Sequence, residues 1–227
     1  MKSLLFLLFF PMLLWSQNDY ESALKLYGQK NYAAAKPLFE KVLKQNPTDF
    51  KTIEYLGDIA GHQKQWEEAI RYYKKLKLQF PKIANYHYKF GGALGMKAKS
   101  VNKFKALGMI DDIKEAFETA ANLDKKHIDT RWALVMLYIE LPGIVGGSET
   151  KAQNYAEELM QLSKVDGFLA KGYIDVYFKR YAKAEIHLKR AHEIGQSKTT
   201  YEKLYDLYLN KLKNMEKAQK LKADFHT

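Results

Sequence analysis

Apolar residues recur along much of this chain at the spacing of a helix face. In "NYAAAKPLFEKVLKQNP" they fall at Ala35, Phe39 and Val42; in "QWEEAIRYYKKLKLQFP" at Ala69, Tyr73 and Leu76; in "RYAKAEIHLKRAHEIG" at Ala184, Leu188 and Ala191. Intervals of three and four residues, with Lys, Glu and Arg between, predict a helix with one buried face in each stretch. Pro47 and Pro81 close the first two, because proline cannot continue a helix.

The stretches are also in register with one another. Pro47 and Pro81 lie 34 residues apart, as do Tyr32 and Trp66. Tyr32, Trp66 and Tyr181 follow turns written "QKNY", "QKQW" and "FKRY". Ahead of the second turn, Leu56-Gly57 supplies the small residue that a first helix needs to approach its partner closely. A fixed period of this length is the mark of stacked helix pairs.

These residues resemble the tetratricopeptide repeat, with "TIEYLGDIAGHQKQWEEAIRYYKKLKLQFP" (Thr52 to Pro81) filling nearly every signature slot. The resemblance covers most of residues 17–227, with clear units at about 17–49, 50–83 and 165–198. It implies an all-α, right-handed α-solenoid of about six antiparallel helix pairs, in one repeat domain. One pair cannot bury its apolar face alone, so pairs stack.

Two units are interrupted. The third opens with "IANYHYKFGGALG", but its second helix, "IKEAFETAANLDKKH", arrives about ten residues late. The intervening "GMKAKSVNKFKALGMID" places Ala98, Val101, Phe104 or Lys105, and Leu107 to Ile110 at roughly helical spacing. This predicts a lengthened helix pair or an inserted helical turn over residues 95–112. A loop is the alternative, since Gly91, Gly92, Gly95 and Gly108 are weak helix formers. The fourth unit joins "DTRWALVMLYIE" to "ETKAQNYAEELMQL", whose inner face is Ala152, Ala156 and Leu159.

The fourth unit's connection, "LPGIVGGS" (Leu141 to Ser148), is the one dense glycine cluster. A phosphate loop needs Gly, four residues, then Gly-Lys-Ser/Thr after a strand. Here the second glycine slot holds Ser148, the lysine comes late at Lys151, and the preceding element reads as helix. The stretch reads instead as a helix exit at Pro142 and a helix start at Ser148, with Glu149 in the first turn. Binding of an anion at the Gly146–Ser148 helix start stays open. With the insertion before it, this PGIxGGSxxKA loop resembles those of exported bacterial tetratricopeptide proteins, a likeness that brings no reaction with it.

Composition narrows the chemistry. The chain has 227 residues, no cysteine and a formal net charge of +11. Disulfides, thiolate metal sites and cysteine nucleophiles are therefore excluded. Met1-Lys2, the apolar run Leu4–Trp15 and Ser16-Gln17 have the form of a secretory signal peptide over residues 1–16. Retention as an N-terminal anchor is the alternative, and the run is too short to span a bilayer. Localisation is expected to be periplasmic or extracellular. The lysines are scattered among acids, without an Arg-rich arm or nucleic-acid motif, so no nucleic acid is expected as a partner.

No catalytic group, metal site or cofactor is expected. The six histidines, His62, His87, His127, His187, His192 and His226, form no His-Glu-x-x-His pair, and His187 and His192 are five apart. Glu67-Glu68, Asp111-Asp112 and Glu157-Glu158 are neighbours that point apart on a helix. What the resemblance does imply is a concave groove lined by the first helix of each pair. Counting along the units places Tyr20, Leu24 and Tyr27 there, then Lys51, Glu54, Asp58 and His62. Asn85, Tyr88 and Gly92 follow, and finally Trp132, Met136, Tyr173 and Tyr177. Aromatic anchors mixed with charges suit a protein or peptide partner. The expected function is thus a non-catalytic binding scaffold in the cell envelope. An accessory or carrier protein with an apolar ligand pocket is the alternative.

Overall fold

A computed structural model of the chain describes the backbone of residues 10–225 and the side chains of 18–225. The expected signal segment, 1–16, and His226 lie outside the residues whose side chains are described. All regular structure among the described residues is helical. Among them no helix is long and apolar enough to cross a membrane. The fold is the expected α-solenoid of antiparallel helix pairs. It divides into two compact units, the first ending at Ala116 and the second beginning at Phe117.

Unit 1 contains α1 (Phe10–Gly28), α2 (Tyr32–Gln45), α3 (Phe50–His62) and α4 (Trp66–Gln79) as two pairs. α5 (Ala84–Ser100), the short α6 (Lys103–Leu107) and the start of α7 (Ile110–Leu123) complete it. Ala23, Ala35, Phe39, Leu56 and Ile59 form a buried core between successive helices. The 95–112 insertion is therefore helical: α5 runs through Gly91, Gly92 and Gly95 to Ser100, and α6 is the added turn.

Unit 2 takes up α7 from Phe117, then α8 (Ile128–Glu140) paired with α9 (Glu149–Leu162) and α10 (Lys164–Tyr177) paired with α11 (Tyr181–Gly195). α12 (Lys198–Asp206) passes into a π-helical turn over Leu207–Lys211 before α13 (Met215–Phe225). Leu169, Ala184, Leu188, Leu204 and Tyr208 are in its core. A charged residue sits there too. Arg131, 1% exposed, donates to the carbonyls of Ala121, Asp124 and His127 and to Glu158. It thus satisfies the Ala121 carbonyl in the last turn of α7, which has no partner within the helix, and ties the α7–α8 turn together. Periodicity alone cannot find such a residue, because it reads a charge as a surface position.

The repeat's turns share one backbone device. Lys30, Lys64, Lys179 and Lys213 each adopt positive φ, between 52° and 59°. In the three clear units the turn is tied identically. The lysine amide donates to a carbonyl three residues back and the next amide to one five back: Tyr27 and Leu26, Gly61 and Ala60, Val176 and Asp175. These bonds satisfy the last carbonyls of the first helix. A common slot also serves the close approach within pairs. A Cβ on Gly57 would meet the Tyr73 ring at 2.6 Å, and one on Gly172 would meet Leu188 Cδ2 at 2.6 Å.

The glycine connection in unit 2 is a tight, fully bonded turn. A 3-10 turn spans Gly143–Val145, and Gly146 follows at φ 97°. The amides of Gly146, Gly147 and Ser148 donate to Gly143, Pro142 and Tyr138 carbonyls. Ser148 Oγ accepts the Lys151 amide, as expected of an N-cap. The amides over Gly146–Ser148 are thus committed to the loop and to α8. Ile144 packs on nothing in its unit; it is 96% exposed.

Candidate functional site: the first-helix faces

The expected groove residues divide into two different surfaces. In unit 1 they mostly satisfy one another. Lys89 on α5 donates to Glu54 at 2.6 Å and to both Asp58 oxygens at 2.7 and 2.9 Å, joining α3 to α5. Tyr73 of α4 donates to Asp58 at 2.7 Å, and Asn85 to Glu54 at 3.4 Å. Burial, with the Asp58 charge and hydrogen bond in support, pushes the Tyr73 phenol far above its ordinary pKa.

The aromatic members of the unit 1 set are packed too. Tyr20 lies edge-on to Phe39, and Tyr27 edge-on to Tyr32 and Tyr55. Burial, seconded by the Asp58 charge, pushes Tyr27 up to about 12. His62 is exposed but stacks on Tyr32, with ring centroids 4.4 Å apart. Leu24 packs against the core, Tyr88 and Gly92 are half-buried, and Lys51 is exposed at the start of α3. Counting placed these residues on α1, α3 and α5. It did not foresee that Lys89, outside the expected set, would close the charges.

In unit 2 the corresponding slots are apolar. Leu169 and Tyr173 stand on α10 where Glu54 and Asp58 stand on α3, each 115 residues further on. Trp132 and Met136 of α8, Tyr173, Leu169, Val176 and Leu188 line one cavity of about 480 Å³. Asp166 also lines it, and Thr199, Lys203, Asp206 and Lys211 form its remaining wall. Those four and Met136 are exposed, so the cavity opens to solvent. The Trp132 indole donates to Asp166 at 2.8 Å and is held in one orientation. Tyr173 donates to Glu140 at 2.9 Å; burial and that neighbouring charge raise its phenol. Asp166, Lys203, Asp206 and Lys211 were not anticipated. Asp206 precedes and Lys211 ends the π turn, which breaks the 3.6 period on which the counting rests. Tyr177, the last expected member, is outside the cavity lining and packs edge-on to Phe178.

Two other features of unit 2 are less suited to a ligand. A cavity of about 330 Å³ between α11 and α13 is lined by Glu185, whose carboxylate is already engaged by Lys217 and Tyr208. Asp175, 6% exposed on its side chain, is engaged by Arg180 at 2.7 Å and His187 at 2.9 Å. Arg180 also reaches Glu149 at 2.7 Å, so this cluster ties α9, α10 and α11 together.

A tetratricopeptide repeat family model matches residues 26–89. No curated protein matches in sequence. Among solved structures, the chain is similar to a thermophilic tetratricopeptide protein of Thermus thermophilus. That likeness has 17% identity, covers 86% of this chain and 99% of that one, and has a TM-score of 0.68. It is also similar to PilW, a type IV pilus biogenesis factor (14% identity, 93% and 92% covered, TM-score 0.69). A third is YrrB, described as having an unusual peptide-binding site (15% identity, 80% and 87% covered, TM-score 0.55). At such identities the side chains are mostly different, so the likeness speaks for the fold alone. Residues 26–89 thus match the tetratricopeptide repeat, and the chain has the helix-pair fold of proteins built from it.

Proposed function

We propose that the protein is a non-catalytic scaffold of the bacterial cell envelope that binds a protein or peptide partner through the face of unit 2. The observation that carries this is the cavity itself: Trp132, Met136 and Tyr173, named from the repeat spacing, converge on one apolar recess. Its volume suits one or two large apolar side chains, and a fixed indole beside a flexible methionine is a good anchor for them. The open, charged rim of Lys203, Asp206 and Lys211 favours a chain that continues past the recess. That distinguishes it from the enclosed pocket an apolar ligand carrier would need. Placement in the envelope rests on the signal-like residues 1–16.

The test is a photo-crosslinker placed at Met136 in living cells. It should trap a discrete partner, and Trp132→Ala with Tyr173→Ala should weaken capture by roughly tenfold or more while an unchanged helical spectrum shows that the variant still folds. A crosslinker at Tyr20, packed on Phe39, should trap little. Equal capture at both positions, or capture indifferent to the double substitution, removes the support for this site.

A further inference from the structure

The inserted turn of unit 1 carries a surface that the helix pairs do not use. Between Met96 and Ile110 there are four lysines, Lys97, Lys99, Lys103 and Lys105, and no acid. In the first turn of α6, Phe104 is 88% exposed, and Met96 and Leu107 are 46% and 47% exposed. The short helix is fixed at its start: Asn102 Oδ1 accepts the Lys105 amide at 3.0 Å, and the Asn102 carbonyl accepts that of Ala106. Phe104 is thus presented on an ordered turn, with a lysine on either side in sequence. Glu67 takes Lys97 at 3.3 Å, and Asp111 takes Lys114 at 3.6 Å, with the exposed Asp112 beside it. Neither of these two bonds involves Lys103 or Lys105.

An aromatic ring so exposed contributes almost nothing to folding, since stabilisation follows the area removed from water. It gains only on docking. We propose that the residue 96–110 turn is a docking element for an anionic phospholipid surface, with Phe104 entering the headgroup–acyl boundary and the lysines meeting the phosphates. Size decides against a protein as occupant. A stable protein interface takes about 800 Å² from each side, whereas this is one turn offering three apolar side chains. An interfacial anchor needs no more than an apolar tip and a basic flank, and lysine stems can lie along the acyl boundary while their charges stay in water. Each lysine near such a surface is worth a factor of about five in binding.

The experiment is co-sedimentation of the full chain with mixed phosphatidylglycerol–phosphatidylcholine vesicles and with pure phosphatidylcholine vesicles. The ratio between the two is the readout, because an apolar leader, where retained, binds both alike. The wild type should prefer the anionic vesicles by about tenfold or more, and salt should reduce the preference. Lys103→Glu with Lys105→Glu should abolish it. Phe104→Ala should weaken anionic binding by about tenfold, and Phe104→Trp should retain it and shift its emission to the blue. All three side chains are exposed, and an unchanged helical spectrum shows that the variants fold. Equal binding to both vesicles, or Phe104→Ala binding to anionic vesicles as tightly as wild type, overturns the proposal. So does capture of the turn by an acidic protein with no response to vesicles.

Discussion

Units 1 and 2 use one helix-pair plan to build opposite surfaces. On α3 the outward slots are Glu54 and Asp58, and Lys89 closes over both. On α10 the same slots are Leu169 and Tyr173, and they wall a cavity. The difference lies in the side chains alone, because the turns have the same backbone angles and the pairs the same close contact at Gly57 and Gly172. A repeat therefore fixes where a surface residue stands without fixing whether that residue remains available. The clusters are arranged in opposite order too: unit 1 places the half-buried Lys89 between two carboxylates, and unit 2 places the buried Asp175 carboxylate between Arg180 and His187.

That inversion gives the largest expected effects. Asp175→Ala strips the acceptor from two groups held against a buried centre and should cost about 3 kcal/mol in chemical denaturation. Lys89→Met leaves two carboxylates facing each other but nearer to water, and should cost about 2 kcal/mol. Adding Glu54→Gln and Asp58→Asn to Lys89→Met should recover most of that loss, and a double-mutant cycle reads the coupling. If the triple variant is no better than Lys89→Met, the cluster is not the closed unit described above.

The shared glycine slot separates the units by the stiffness of what lies opposite. In unit 1 the Tyr73 ring is rigid and its hydroxyl is bound to Asp58, so it cannot turn away without losing that bond. In unit 2 Leu188 can change rotamer. Gly57→Ala should therefore destabilise by about 2 kcal/mol, and Gly172→Ala by about 1 kcal/mol, each partly offset by alanine's better helix propensity. Equal melting temperatures would show that the ring is not fixed.

The tyrosines make stability fall in alkali in both units. Burial raises Tyr27 to about 12, and burial with the nearby Glu54 raises Tyr86 to about 12. In unit 2 burial and their carboxylate partners raise Tyr138, Tyr173 and Tyr208. The folded state then holds phenolic protons that the unfolded state releases near its ordinary value of about 10. These groups leave stability unchanged below that value. It then declines as pH rises towards the folded value, with no further loss beyond it. Phenolate absorbance should lag that of free tyrosine up to the unfolding transition. Early titration of most tyrosines in the folded chain would contradict their burial.

The sequence showed the pairs clearly because its strongest signal, small and large apolar residues at fixed spacing, is the one that packing enforces. Ala35, Ala69 and Ala184 are all fully buried as expected. The two surfaces were only half legible. Trp132, Met136 and Tyr173 were found because they obey the period, whereas Lys203, Asp206 and Lys211 lie in or near a π turn that does not. Lys89 and Arg131 escaped because what they do depends on partners 31 and 27 residues away, Asp58 and Glu158. Charge at a helical position does not announce a partner at that distance.

The smallest expected effect tests the shared backbone directly, and it is a gain. Lys64 and Lys179 sit at φ 58° in equivalent turns, in a region that costs a residue with a Cβ about 1 kcal/mol or more. Glycine meets no such penalty, though it gives up some freedom on folding. Lys64→Gly and Lys179→Gly should therefore each stabilise the chain by about 0.5 kcal/mol, read as a small rise in melting temperature. Lys64→Ala should give no comparable gain, since alanine keeps the Cβ. If both glycine variants stabilise equally, the turn is the constant part of the repeat, and the contrast between the two faces belongs to side chains alone. If only one does, the turns bear different loads, and the comparison between the units must extend to the backbone.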